Sequence, residues 1–299
     1  MRTTEQIEVR RCRPLLGTFV EIVAFGTEAG DLERAVESAF LAIAQVHRLM
    51  SFHDPKSDVS RMNRDACHKP VRIHPWTWRV LKSAQEFART SDGIFDVTMA
   101  GRLVKSNYLP RCGRGSGRGS WRDIVLKGNK NVRFRRPLLI DFGGIAKGFA
   151  VDRAVEILKR KRVVEGIVNA GGDLRVFGSA SQFVRLRHPN EPNRAAGVMR
   201  LRERAIATSG IYFAAKKDRR RCVSPILDAR TDRAAHDFIS VTVGAANCMT
   251  ADALTKIVFA LRGEAAPLLA QYSADALLLE RDGAPSWVFH SPCDTRDRS

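Results

Sequence analysis

The 299-residue chain is 44% hydrophobic and 27% charged, enough apolar side chain to core one large domain or two small ones. No stretch approaches the roughly 20 apolar residues of a membrane span, and residues 1–8 hold no apolar run that could act as a signal peptide, so a cytoplasmic protein without a membrane span is expected. A formal charge of +18 and a pI of about 10.4 suit polyanions, whether nucleic acid, an anionic membrane face or a phosphate-bearing small molecule, although a solvated basic surface is the simpler explanation of the charge.

Six cysteines (Cys12, Cys67, Cys112, Cys222, Cys248, Cys293) are scattered without a Cys-x-x-Cys pair, as expected of free thiols in a reducing compartment. Arg10, Arg11 and Arg13 crowd Cys12 where a lipid anchor would need an apolar segment.

Residues 31–50 carry Leu32, Val36, Phe40, Ile43 and Leu49 at helical spacing behind an N-cap at Asp31. Residues 77–89 repeat the pattern with Val80, Leu81, Ala84, Phe87 and Ala88, and Ser91-Asp92-Gly93 closes that helix. Residues 113–119, Gly-Arg-Gly-Ser-Gly-Arg-Gly, are read as part of a basic flexible loop over about 105–136. The apolar run 137–140 predicts a strand that turns through Asp141-Phe142-Gly143-Gly144 into a helix carrying Ile145, Phe149, Val151, Val155, Ile157 and Leu158. A strand at 166–168 leads into Asn169-Ala170-Gly171-Gly172-Asp173, with further strands at 183–186, 198–201 and 239–243. Helices are predicted over 250–261, capped by Thr250, and over 265–272, and strands over 276–279 and 287–289. Without a regular βαβα rhythm, the fold class is α+β, one large domain over 1–299 with mixed sheets and flanking helices.

Chemistry concentrates at a few turns. Gly143 and Gly144 stand at a helix start, where backbone N–H groups and the positive end of the dipole suit an anion, and Lys147 adds a mobile charge. Gly171-Gly172-Asp173 is a place where a ligand can approach the backbone, and Ala207-Thr208-Ser209-Gly210 offers two hydroxyls. Asp252 sits early in an apolar helix with Thr255 and Lys256 at i+3 and i+4, either as a metal ligand or as a first-turn aspartate favoured by the dipole.

In this order, the blocks Leu15-Leu16-Gly17-Thr18, Met50-Ser51-Phe52, 57–63, Asp92-Gly93-Ile94-Phe95-Asp96-Val97-Thr98, 141–152, 168–173, 207–210 and 240–261 resemble the ApbE family of FAD:protein FMN transferases. The resemblance implies a T-fold-like α+β domain with an FAD cleft and a magnesium ion at the pyrophosphate. It implies cleavage of FAD with transfer of FMN to a threonine or serine of an acceptor protein and release of AMP, or hydrolysis of FAD in some members. It casts Asp252 as a magnesium ligand with the Ala146 carbonyl beside it; Thr255, one step before the family's threonine, is a further candidate ligand, and Asp252 with Lys256 the candidate catalytic pair. Met50, Ser51, Thr98, Gly143, Gly144, Lys147, Asp152, Gly171, Gly172, Asp173 and Thr208 would line the flavin nucleotide.

Two positions depart from the family pattern. A threonine usual four residues beyond the metal aspartate is Lys256 here, whose ammonium is expected to weaken or partly replace the magnesium ion, and a usual histidine is Pro225, which can neither take a proton nor ligate a metal. The alternatives are therefore an FAD-binding member with hydrolytic or no transferase activity, or a basic nucleic-acid-binding protein that would explain the charge but none of the blocks. The expected partners are FAD and an acceptor protein, with no specific nucleic acid.

Overall fold

The computed structural model describes residues 6–111, 119–188, 195–210, 216–218, 221–223, 238–280 and 285–289. The chain opens with β1 (Ile7–Leu15), β2 (Thr18–Gly26), α1 (Ala29–Met50), α2 (Asp58–Asp65), β3 (Val71–Arg72), α3 (Pro75–Thr90), α4 (Ala100–Lys105), β4 (Ile124–Lys127) and β5 (Asn131–Phe134). It continues through α5 (Ala146–Arg160), β6 (Glu165–Ala170), β7 (Asp173–Phe177), β8 (Gln182–Arg187), β9 (Ala195–Leu201), β10 (Ala205–Gly210), β11 (Lys216–Asp218) and β12 (Arg221–Val223). It closes with β13 (Phe238–Ala245), α6 (Cys248–Leu261), α7 (Ala266–Gln271), β14 (Asp275–Glu280) and β15 (Pro285–Phe289). These elements make an α+β fold of two compact units, one of residues 1–44, 147–213 and 236–299, the other of 45–146 and 214–235.

The first unit is built on an eight-stranded sheet in the order β1-β2-β6-β7-β10-β13-β14-β15, with every pairing antiparallel. Antiparallel neighbours need no crossover helix, which is why no βαβα rhythm shows in the sequence. Leu15 pairs with Thr18, so β1 and β2 are joined by Leu16-Gly17, both at positive φ (57° and 72°), as a twist-matched two-residue hairpin turn requires.

Alternation along β7 sorts its residues between two environments. Leu174 and Val176 join Leu186, Leu201, Ile206 and Leu277 in an apolar core beneath the β8–β9 hairpin. Asp173, Arg175 and Phe177 meet α5 instead: Lys147 bonds Asp173, Arg175 bonds Asp152, and Lys159 lies 5.7 Å from the Phe177 ring centroid. Helix α6 packs on β10 and β13 and is buried on nearly every side.

In the second unit, α2 is capped by Ser57, whose hydroxyl accepts from Ser60 N at 3.0 Å. Asp58 ties α2 to the start of α3 by accepting from His74 N (2.8 Å) and Thr77 Oγ1 (2.7 Å). A small sheet runs β3-β5-β4.

Several sequence expectations change. Helix α1 starts at Ala29, so Asp31 lies in its first turn rather than capping it. The cap of α6 is Asn247, which accepts from Thr250 N, and not Thr250 itself. Residues 137–140 form no strand: Asn63 holds Ile140 through both its N–H (2.8 Å) and its carbonyl (3.0 Å), and Leu138, Leu139 and Ile140 are apolar because they are buried. The stretch 105–136 is not one flexible loop either, since β4 and β5 pair within it and bury Ile124, Val132 and Phe134; residues 112–118 lie outside the described residues. Pro225 also lies outside them.

Candidate functional site

The starts of α5 and α6 approach each other because position 148 is glycine. A Cβ there would lie 2.3 Å from the Cys248 carbonyl oxygen and 2.8 Å from Met249 Cα, a space no other residue leaves free. The contact brings Gly148 N–H to Asp252 Oδ2 at 3.1 Å. One turn along α5, Asp152 accepts from Cys248 N and Met249 N at 2.9 Å each, filling orphan donors at the α6 N-terminus, and from Arg175 Nη1 at 2.7 Å. Asp152, expected on the nucleotide, thus has both oxygens committed to joining α5, α6 and β7.

Within this frame two ammonium groups meet two carboxylates. Lys147 donates to Asp173 Oδ2 at 2.6 Å, and Lys256 donates to Asp252 Oδ1 and, at 3.0 Å, to the Asp252 carbonyl. The carboxylate side chains are 2% and 0% exposed while the lysine side chains are 33% and 22% exposed, so the acids lie beneath and the cations face outward. Thr255 donates to the Asp252 carbonyl (2.7 Å) and shares a 2.8 Å hydroxyl contact with Ser209. Thr208, on the opposite face of β10, bonds Thr242 at 2.9 Å.

Beside Asp173, Gly171 and Gly172 turn the chain at φ 63° and 99°. A Cβ on Gly171 would strike Thr18 Oγ1 at 2.4 Å, whereas one on Gly172 would meet open space. The turn therefore packs on one side and leaves its backbone approachable on the other.

The electrostatics follow from burial and neighbours. Burial and then repulsion from Asp252 push the Asp173 carboxyl up to about 6 against the pull of Lys147. Burial works against the Lys147 ammonium, but Asp173 and Asp252 outweigh it and hold the group above its ordinary value. Burial would raise Asp252 too, yet Lys256 and then Lys147 keep it below the usual carboxylate range. Burial, with Asp173, Asp152 and Asp252 nearby, drives the Cys248 thiol well up, so it stays protonated.

Because folding raises the Asp173 carboxyl above its ordinary 3.8, the native state holds more protons between there and about 6, and this group's cost to stability grows as pH rises through that window. The Tm of Asp173→Asn relative to wild type is expected to increase from pH 4 to pH 7. A difference that is flat or falls across that range would mean an ordinary carboxylate.

The remaining predicted residues lie in the second unit. Met50 and Thr98 are buried, and Thr98 donates to the Gly119 carbonyl at 3.1 Å. The Ser51 carbonyl accepts from Ser57 Oγ at 2.6 Å. Gly143 N–H is turned onto Asp141 Oδ2 at 2.9 Å, and Gly143, Gly144 and Ile145 form the turn that delivers Ala146 to the first position of α5.

Magnesium does not fit the donors present. Asp252 accepts from Lys256 at one oxygen and from Gly148 at the other, and Thr255 gives its proton to the Asp252 carbonyl. Among the described residues no group of three His, Cys, Asp or Glu is arranged to hold a metal ion. The sequence offered the Ser209 hydroxyl but gave no role to Gly148 or Arg175, of which only Gly148, a glycine inside a helical pattern, left a local signal.

Comparison with known proteins identifies the family and the fold. The model of the ApbE family matches residues 16–278. The FAD:protein FMN transferase of Treponema pallidum is 24% identical over 315 residues, covering 92% of this chain and 85% of its own. That of Vibrio cholerae is 26% identical over 229 residues, covering 71% and 69%. The crystal structure of the ApbE protein of Thermotoga maritima superimposes with a TM-score of 0.82 at 27% identity over 95% of this chain and 97% of that one. The Pseudomonas stutzeri flavinyl transferase ApbE, in its apo form, shares the fold at a TM-score of 0.81 and 21% identity, over 96% of each chain.

Proposed function

The chain belongs to the ApbE family, and from that premise we propose that it is an FAD:protein FMN transferase, which passes FMN from FAD to a threonine or serine hydroxyl of an acceptor protein and releases AMP. The acceptor oxygen bonds to the FMN-side phosphorus, the bridging oxygen leaves with AMP, and the hydroxyl proton is taken up by the leaving phosphate or by solvent. The carrying observation is the pair of outward ammonium groups over buried Asp173 and Asp252, beside the open turn at Gly172.

Two linked phosphates repel each other and any nucleophile, and negative charge grows on the AMP phosphate as the bridging bond breaks. An ammonium has three donors; one on Lys147 and two on Lys256 are spent on protein acceptors, and the rest are available to phosphate oxygens. Their carboxylate partners hold both ammonium groups in place. Gly171 and Gly172 supply approachable backbone, Thr255 bonds Ser209 to hold α6 against β10, and Thr208 ties β10 to β13.

Hydrolysis of FAD to FMN and AMP is the second reading, favoured by Lys256 at Asp252. It breaks the same bond with water in place of the acceptor hydroxyl.

A site arranged for a pyrophosphate binds FAD more tightly than FMN, and AMP competes with FAD. Flavin fluorescence titrations check this; equal affinities for FAD and FMN with no effect of AMP would refute the proposal.

A further inference from the structure

We propose that the Lys256 ammonium is the resident cation of this site, filling at Asp252 the place that a divalent metal ion would need, so that flavin dinucleotide binding requires no divalent cation. The inference rests on the flavin reading given above for its ligand, while its cation argument stands on the geometry of α6.

Asp252 and Lys256 are i and i+4 on one helical face, the spacing at which an acid N-terminal to a base pairs best. The ammonium reaches both the Asp252 carboxylate and the Asp252 carbonyl, so it takes two oxygens that a hard cation would otherwise seek. The other carboxylate oxygen is held by the Gly148 N–H where α5 touches α6. Helix α6 is buried from Cys248 to Thr255 and again from Ile257 to Phe259, so the ammonium is anchored on a rigid element.

Charge balance points the same way. Lys147, Lys256, Asp173 and Asp252 sum to zero, so the cluster has no excess negative charge to draw a divalent ion, and each ammonium repels one. With a neutral residue at 256 the same cluster carries one net negative charge and Asp252 Oδ1 is released. The third proton of Lys256 remains for an anionic ligand, which is the interaction a metal ion would supply.

Electron paramagnetic resonance titration with Mn2+, without and with FAD, tests this on wild type, Lys256→Thr and Lys256→Met, with FAD affinity measured in EDTA and in Mg2+. The expected wild type binds no stoichiometric Mn2+ and changes FAD affinity less than about twofold between EDTA and Mg2+, whereas either variant gains Mn2+ affinity at least about tenfold. The gain disappears in Asp252→Asn/Lys256→Thr. The Met variant keeps the length of the stem without its charge, and thermal melts establish that each variant is folded.

A wild type that binds Mn2+ as tightly as the variants, or that loses FAD in EDTA, overturns the inference. So do folded variants that gain no Mn2+. A wild type that binds no FAD in either condition refutes the flavin reading instead, and the Mn2+ titration without FAD still decides the cation question.

Discussion

Gly148→Ala is expected to destabilise the protein by at least about 3 kcal/mol, lowering Tm by roughly 6–12 °C, and to abolish FAD binding. The added methyl group would lie 2.3 Å from the Cys248 oxygen, 2.6 Å from its carbon and 2.8 Å from Met249 Cα. All three are backbone atoms, which cannot rotate aside as a side chain can, so α5 and α6 must separate. Separation breaks the bond from Gly148 N–H to Asp252 and strains the two that Asp152 accepts from the start of α6. Calorimetry and flavin titration check the result, and a variant with unchanged Tm would refute the close approach of the two helices.

Asp252→Asn is expected to lower FAD cleavage and FMN transfer at least about tenfold, and stability by about 1–3 kcal/mol. The two aspartate oxygens each accept a hydrogen bond, from Lys256 and from Gly148 N–H. Asparagine has one oxygen and one NH2 group, so one of these donors must face another donor in a fully buried place. The lost charge also leaves Lys147 and Lys256 sharing Asp173 alone, which displaces the ammonium groups from their positions. Unchanged turnover with an unchanged melt would remove Asp252 from the phosphate-handling machinery, and α6, whose first turn holds no acidic residue, leaves it no helix-dipole role in exchange.

Local pattern identified the helices that bury one face. In α1 and α3 the apolar spacing marks the element, and only the ends shift, because caps depend on which backbone groups find partners. β1 was hidden because Arg10, Arg11 and Arg13 break its alternation; on this edge strand they pair with Glu21, Glu33 and Glu37 across the surface. That pairing also accounts for the arginines around Cys12 without a nucleic acid. The apolar run 137–140 misled because burial alone makes residues apolar, and its backbone partner, Asn63, lies 77 residues away.

At the site, Asp252, Thr255 and Lys256 were legible as a group, since helical spacing fixes their neighbours from the chain alone. The commitment of Asp152 to α6 was not, because its partners lie 96 and 97 residues further on and the bonds form only when the sheet has brought the two helices together. That Lys256 opposes a metal ion was legible as well, since a lysine one turn beyond Asp252 falls on the same helical face. A lysine at 256 shows in the sequence, but its hold on both the carboxylate and the carbonyl of Asp252 does not.

The transferase reading is tested most directly by incubating the purified protein with FAD and the proteins of its own cell, then inspecting a denaturing gel for flavin fluorescence and weighing peptides from any fluorescent band. The expected result is a band that keeps its flavin after denaturation, a threonine or serine peptide heavier by one FMN less one water, and release of AMP in step with it. AMP released together with an equal amount of free FMN, and no protein carrying flavin, would contradict the transferase and establish hydrolysis.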